Sequence, residues 1–348
     1  MKTTWAALII LLAVFAMPAA ADDTDKWIRD LEDPIPSVRT AAAEALGELD
    51  LVELGDTSAV KTLIKALEDE DSKVRAAAAE ALGRLGYDLV ELEDTSAVEP
   101  LILELNDKES SVRGAAAMAL SKFNGTLVVG PLIQLLDDED SEVRRRAAMA
   151  LGNIHDTLAV GPLIQLLDDE DLEVQSEVAA SLGRIGDTRS VGPLIQLLDD
   201  EDPKVRRSAA SALGDLGDTR AVGPLLQAFE EDSEIRSNAA LAFGNLGDIR
   251  AVEPLILALN DGDYLVRGNA ALALGELGDT GAVGPLLQAL NDEYPYVRGN
   301  AASALGELND IRAVDSLTRT LKDDEQWVRE SAASSLGLLG DNRSTRSL

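Results

Sequence analysis

The chain has 348 residues with 63 acidic against 31 basic side chains, a formal charge of −32. That charge sets it apart from proteins that hold nucleic acid, and it repels an anionic membrane surface. Cysteine is absent, histidine occurs once as His155 and aromatics make up 3%, so disulfides, thiolate chemistry and multi-imidazole metal centres are excluded within one chain and the core has to be aliphatic.

The first element in chain order is an address. Lys2, the uncharged run from Ala6 to Met17, and Pro18-Ala19-Ala20-Ala21 ahead of Asp22-Asp23 read as a secretory signal peptide over 1–21, cleaved after Ala21. The apolar run is far shorter than the roughly 20 residues a membrane span needs. The mature chain is therefore expected to be exported, to an extracellular, periplasmic or cell-surface location, with no membrane insertion after cleavage.

Everything after that is one unit copied ten times. The register is set by Val38-Arg39, Val74-Arg75, Val112-Arg113, Val143-Arg144, Val174-Gln175, Val205-Arg206, Ile235-Arg236, Val266-Arg267, Val297-Arg298 and Val328-Arg329. The first two spacings are 36 and 38, and the rest are 30 or 31. The first copy opens with Trp27, Ile28 and Leu31. The longer first two repeats, over 22–93, carry extensions at Asp50–Leu54 and Tyr87–Leu92, expected as longer loops or extra helical turns.

The copy from Asp187 to Gly217 shows the design. Val191, Leu194, Ile195 and Leu198 fall on one face of a first helix. Asp202 caps a second helix with Pro203 at its first position, and Val205, Ala209, Ala212, Leu213 and Leu216 form its apolar stripe. Gly217 suits a left-handed C-terminal position, Gly214 permits close helix approach, and Pro193 is expected to distort the opening of the first helix. One hairpin cannot bury two apolar stripes alone, so neighbours must stack. The expectation is all-α: an α-solenoid, or superhelix, of about ten helical hairpins with a dominant 31-residue period, forming a single domain over 22–340 and followed by a polar, frayed tail at 341–348.

Three motifs carry a family likeness. Gly217-Asp218-Thr219-Arg220-Ala221-Val222-Gly223-Pro224-Leu225-Leu226, the Asp-x-x-Val-Arg turn and the Ala-Ala-x-Ala-Leu-Gly helix resemble HEAT-like repeats of the phycobilisome-lyase type, over about residues 22 to 340. The resemblance implies binding scaffolds, bilin lyase subunits and a deoxyhypusine hydroxylase branch. That branch uses paired His-Glu metal ligands, and a chain whose sole histidine is His155 departs from it. The resemblance also implies that second helices line a concave face.

Two charge ladders follow the repeat. Arg144, Arg206, Arg236, Arg267 and Arg298 recur after the register valine, and Asp187, Asp218, Asp248 and Asp279 recur after the helix-ending glycine. Both are expected to tie neighbouring hairpins together by capping and charge-assisted hydrogen bonds, against a reading as an anion-binding stripe. The acidic turns, such as Asp168 to Asp171, lack EF-hand spacing and read as a solvated edge rather than a calcium site, so no metal or cofactor is expected. His155 stands where other copies have Gly and reads as a turn residue.

Candidate partner-binding residues are those that the repeat does not need. Arg145, Arg146 and Arg207 form a basic island that either receives an acidic partner or neutralises Glu173 and Glu177. Tyr264, Tyr296 and Trp327 lie at or beside the residue before the register valine, and Asn238, Asn269 and Asn300 lie three after it. Gly268 and Gly299 beside them leave room for a ligand or a partner's backbone, and the rings either bind a partner or cover the solenoid's end. Asn124 and Asn342 head possible glycosylation sequons. The expected function is an exported, non-catalytic scaffold, monomeric, that binds another protein. A lyase acting on a bilin-like chromophore and a structural envelope component are the alternatives.

Overall fold

The computed structural model describes residues 21–54, 57–123, 125, 127–232 and 235–346; most of the expected signal peptide, and Asn124, lie outside them. Among the described residues every regular element is helical, and a short first helix alternates with a longer second one, the hairpin of an α-solenoid. No described helix is long and apolar enough to cross a membrane.

The hairpin from Asp187 to Gly217 shows why the sequence folds this way. The Asp187 carboxylate accepts the Arg189 N–H at 2.9 Å and starts the 3-10 turn Thr188–Ser190. The helix Val191–Gln196 follows, then a 3-10 turn Leu197–Asp199. The sequence places a distortion at Pro193, but the proline falls in the first α turn, where its missing N–H has no helical partner to lose. The Asp202 carboxylate accepts the Lys204 N–H at 2.7 Å, and Pro203 opens the helix Pro203–Leu216. Gly217 ends it in the left-handed conformation at φ 64°, a cap that an L side chain resists.

Val191, Leu194, Leu198, Val205, Ala209, Ala212 and Leu213 are all buried. Each fully buried valine or leucine contributes about 1.5–3 kcal/mol and each alanine methyl about 0.8 kcal/mol. Second helices pack side by side, as Tyr264–Leu277 does with Pro295–Glu307. Small residues set that spacing: a Cβ on Gly214 would lie 2.7 Å from the Ala242 Cα.

Within the stretch expected as a single domain over 22–340, the packing groups the chain into two compact units, one through Ser181 and one from Leu182 onward. In a repeat protein contacts are made mainly between neighbours, so such a grouping does not count domains, and here it cuts within the helix Leu172–Ile185. In the first unit both extensions are helical turns, Leu51–Leu54 and Gly86–Glu91, rather than loops. They pack on each other with Leu51 and Leu89 fully buried, and the Leu51 N–H donates to Asp88 at 2.8 Å. In the second unit the tail expected to fray beyond Gly340 continues the helix Gln326–Arg346. Gly340 does not adopt the left-handed conformation that stops earlier second helices.

Candidate functional site

The arginine ladder is a set of ties between successive hairpins. In the first unit Arg144 sends Nε and Nη2 to Asp169 at 2.7 and 2.8 Å, while Nη1 donates to the Asp138 carbonyl at 2.9 Å. In the second unit Arg206 pairs with Asp232, and Arg236 reaches Asp261 at 2.9 Å. Arg267 and Arg298 make two-pronged contacts with Asp292 and Asp323, the closer prong at 2.7 Å in each. The partner is an aspartate in the acidic turn of the next repeat, so one carboxylate per turn is sequestered and the turn is not wholly solvated. Burial, the largest single influence, pushes the Asp292 carboxyl up, but the hydrogen bonds from Arg267 and the Tyr294 N–H and the charges of Arg267 and Arg298 together outweigh it, and the net displacement is downward.

The second ladder does the capping expected of it, but within its own hairpin rather than between neighbours. Asp187, Asp218, Asp248 and Asp279 each cap the 3-10 turn of their own hairpin, accepting the N–H two residues on at 2.9, 2.9, 2.9 and 2.7 Å. Arg220 and Arg250 add side-chain hydrogen bonds that hold Asp218 and Asp248 down to about 2. These aspartates act within one turn: Asp187, Asp218 and Asp248 meet an arginine two residues on, not one in the next repeat, and Asp279 meets the Gly281 N–H alone. His155 takes the glycine slot at φ 60°, with its Nδ1 2.8 Å from the Asn153 carbonyl. Gln175 interrupts the first ladder: its Nε2 keeps the contact to the Asp169 carbonyl at 2.6 Å, but Oε1 has no partner.

In the first unit the central arginines are occupied. Arg145 grips Glu142 through two bonds of 2.8 Å, Arg146 reaches the same carboxylate at 2.6 Å, and Glu177 lies 3.9 Å from Arg145. The two guanidiniums hold Glu142 at about 2, with Arg145 the larger influence. Neutralisation therefore comes chiefly from Glu142, one turn back on the same helix, rather than from Glu173. In the second unit Arg207 is half-buried on the helix Pro203–Leu216.

In the second unit the space over the glycines is filled from within. A Cβ on Gly268 would collide with the Tyr296 ring, and one on Gly299 with the Trp327 ring. The room expected for a ligand there is taken by an aromatic from the next repeat. The Tyr296 hydroxyl donates to Asn269 Oδ1 at 2.6 Å, and Asn269 Nδ2 donates to the Ser237 carbonyl at 3.0 Å. Asn269, 4% exposed, is thus a buried strut and not a presented contact residue. Asn300 donates to the Gly268 carbonyl at 3.1 Å, and Asn238 is half-buried.

What stays open to solvent is a row of rings. Tyr264 is 37% exposed, Tyr294 40% and Trp327 38%, with Leu265 at 41%. Tyr264 stacks on Tyr294 at 4.5 Å between ring centres, and Tyr296 meets Tyr264 edge-on at 6.4 Å. Leu241, on the preceding second helix, is also exposed. The ring contacts join Tyr264 and Tyr296, which the sequence singles out one by one, and bring in Tyr294 beside them; the arginine partners, recurring 25 residues on in the short repeats, were legible only as an acidic edge. Asn342 falls within the helix Gln326–Arg346. Among the described residues no group of three or more potential ligands is placed to hold a metal ion.

HEAT repeats match residues 24–96, 98–160, 129–197, 160–243, 192–257, 224–290 and 283–348. The chain belongs to the HEAT-repeat family. Among solved structures, a chain from the complex of Kap95p with RanGDP is similar at 17% identity with a TM-score of 0.60, over 96% of this chain and 52% of that one. At that identity the likeness concerns the fold. An engineered protein is 25% identical over 91% of this chain and 99% of its own, with a TM-score of 0.49. Human deoxyhypusine hydroxylase in complex with glycerol is 25% identical over 73% of this chain and 99% of its own, with a TM-score of 0.34. No curated protein matches the chain.

Proposed function

We propose that this HEAT-repeat chain is an exported, monomeric, non-catalytic scaffold that binds another protein through the second-helix face of its C-terminal repeats. The supporting observation is the division of labour among side chains. The charges that recur with the repeat are engaged in ties and caps, whereas the rings of Tyr264, Tyr294 and Trp327 stay over a third exposed. Exposed Tyr and Trp side chains on a rigid helical frame are favourable anchors, giving large contact area at low entropic cost.

The reading is tested by affinity capture from the source's envelope and culture fluid. The bait is the chain from Asp22 onward, beside a Tyr296→Ala/Trp327→Ala version. A protein retained by the first bait and lost by the second supports the scaffold and its face. Equal retention by both removes the site assignment. Export is tested by N-terminal sequencing of the secreted chain, which should begin at Asp22. The likeness of single repeats to the phycobilisome-lyase type keeps a bilin-binding role as the alternative. It requires a visible absorption band that stays with the protein after incubation with a bilin and removal of unbound pigment, and a featureless protein spectrum eliminates it.

A further inference from the structure

The ring row in the second unit lies in a strongly acidic setting. From Asp261 to Glu330 there are thirteen acidic and six basic residues. Among the basic ones, Arg267, Arg298 and Arg312 are bound to Asp292, Asp323 and Asp310. Asp263 precedes Tyr264, Glu293 precedes Tyr294, and Glu325 lies two residues before Trp327; all three carboxylate residues are exposed. The exposed surface around the rings is therefore short of positive charge.

One ring already shows what it accepts. The Arg267 guanidinium sits 5.5 Å from the centre of the Tyr294 ring while it holds Asp292. A guanidinium between a ring and a carboxylate is favoured twice, by the quadrupole of the ring and by the anion. The remaining exposed surfaces of Tyr264, Tyr294 and Trp327, each with an exposed carboxylate nearby in the chain, offer the same pairing to a cation from outside. Resting on the scaffold reading above, we infer that this row seats a lysine- and arginine-bearing segment of another protein, aliphatic stems over the rings and charged heads at the flanking carboxylates.

The alternatives for this surface carry the wrong charge. A second copy of the chain would bring another −32 to the interface, and nucleic acid or an anionic membrane would be repelled. A purely apolar segment would cover the rings but leave Glu293 and Glu325 facing unmatched low-dielectric surface, which costs free energy.

The test is fluorescence anisotropy with a short labelled peptide of alternating lysine and serine, and its glutamate twin, at physiological salt. The full chain from Asp22 onward is expected to bind the lysine peptide and not the glutamate one. Trp327→Ala should weaken binding roughly tenfold and Glu293→Gln/Glu325→Gln roughly three- to tenfold. The second variant changes only exposed side chains, so it guards against a folding defect in the first. Glu253→Gln/Asp315→Asn, on first helices of the same unit, should bind as the parent does. Equal binding by all variants, or preference for the glutamate peptide, overturns the inference. The lysine peptide should also displace a protein captured through Trp327. If capture depends on Trp327 but the peptide does not compete, the scaffold stands and the basic-segment assignment falls. If capture ignores Trp327, the scaffold's face is misassigned as well.

Discussion

Replacing Arg113 by Met removes one inter-repeat tie with little change in volume. Arg113 Nε and Nη2 each lie 2.7 Å from Asp138, and Nη1 donates to the Asp107 carbonyl at 2.9 Å. Both charged side chains are 9–10% exposed, so solvent cannot take over the role of the missing partner. Burial raises the Asp138 carboxyl, and the Arg113 hydrogen bond, the Asp140 N–H and the charges of Arg113 and Arg144 together more than reverse this. Breaking a buried pair from one side costs about 3–5 kcal/mol, because the remaining ion is left desolvated and unmatched. The double variant Arg113→Met/Asp138→Leu removes that ion. It should recover most of the loss, leaving about 1 kcal/mol for the Asp140 N–H that Asp138 accepts at 2.9 Å.

The assay is urea unfolding followed by circular dichroism, with hydrogen exchange to localise the change, since repeat arrays need not unfold in one step. The Asp138 pKa is lower folded than unfolded, so its stabilising contribution is full above about pH 4 and is lost as pH falls through the folded value. The gap between Arg113→Met and the parent should therefore narrow in acid. A single variant within about 1 kcal/mol of the parent at pH 7, or a double variant no better than the single, would refute the reasoning.

Glu104 occupies a position that holds Leu135, Leu197 and Ala258 in other repeats. Burial, then the neighbouring Asp107 charge, push its carboxyl up to about 7. A raised acid costs stability as pH rises from about 4.5 through about 7, so Glu104→Gln should stabilise by about 1–2 kcal/mol at pH 8 and by little at pH 4, read by thermal melts at both. His155→Gly relieves a left-handed L residue and should raise stability by about 1 kcal/mol in urea titration. Gly299→Ala should push the Trp327 ring outward, seen as a red-shifted tryptophan emission, and should weaken partner capture although no ring is removed.

The hairpin and its period were legible because most copies obey the same rules. A capping aspartate, a valine-arginine turn and a glycine stop are local signals, and ten copies average out the ambiguity of one. Which carboxylate each arginine meets was not legible, since the acidic turn and the aspartate ladder both offer one and only the packing shows that the acidic turn of the next repeat faces the guanidinium. The same holds for Asn269. Its register marks it as dispensable to the repeat, yet Tyr296 and Ser237 enclose it from either side. Gly268 and Gly299 misled in the same way: small residues announce a close neighbour without saying whether it is a ligand or the protein's own ring. The extensions at Leu51 and Leu89 could not be assigned to loop or helix from sequence because each is only a turn long.

The most direct test of the binding claim is site-specific photo-crosslinking in the source's envelope fraction. A benzophenone side chain would be placed at Tyr294, which is among the solvent-open rings, and in a second version at Leu257, which is 72% exposed on a first helix. A crosslinked protein partner is expected from position 294 alone, and that crosslink should weaken when Glu325→Gln is added. Crosslinks of equal yield from 257 and 294, or from 257 alone, would contradict the assignment of binding to the aromatic row.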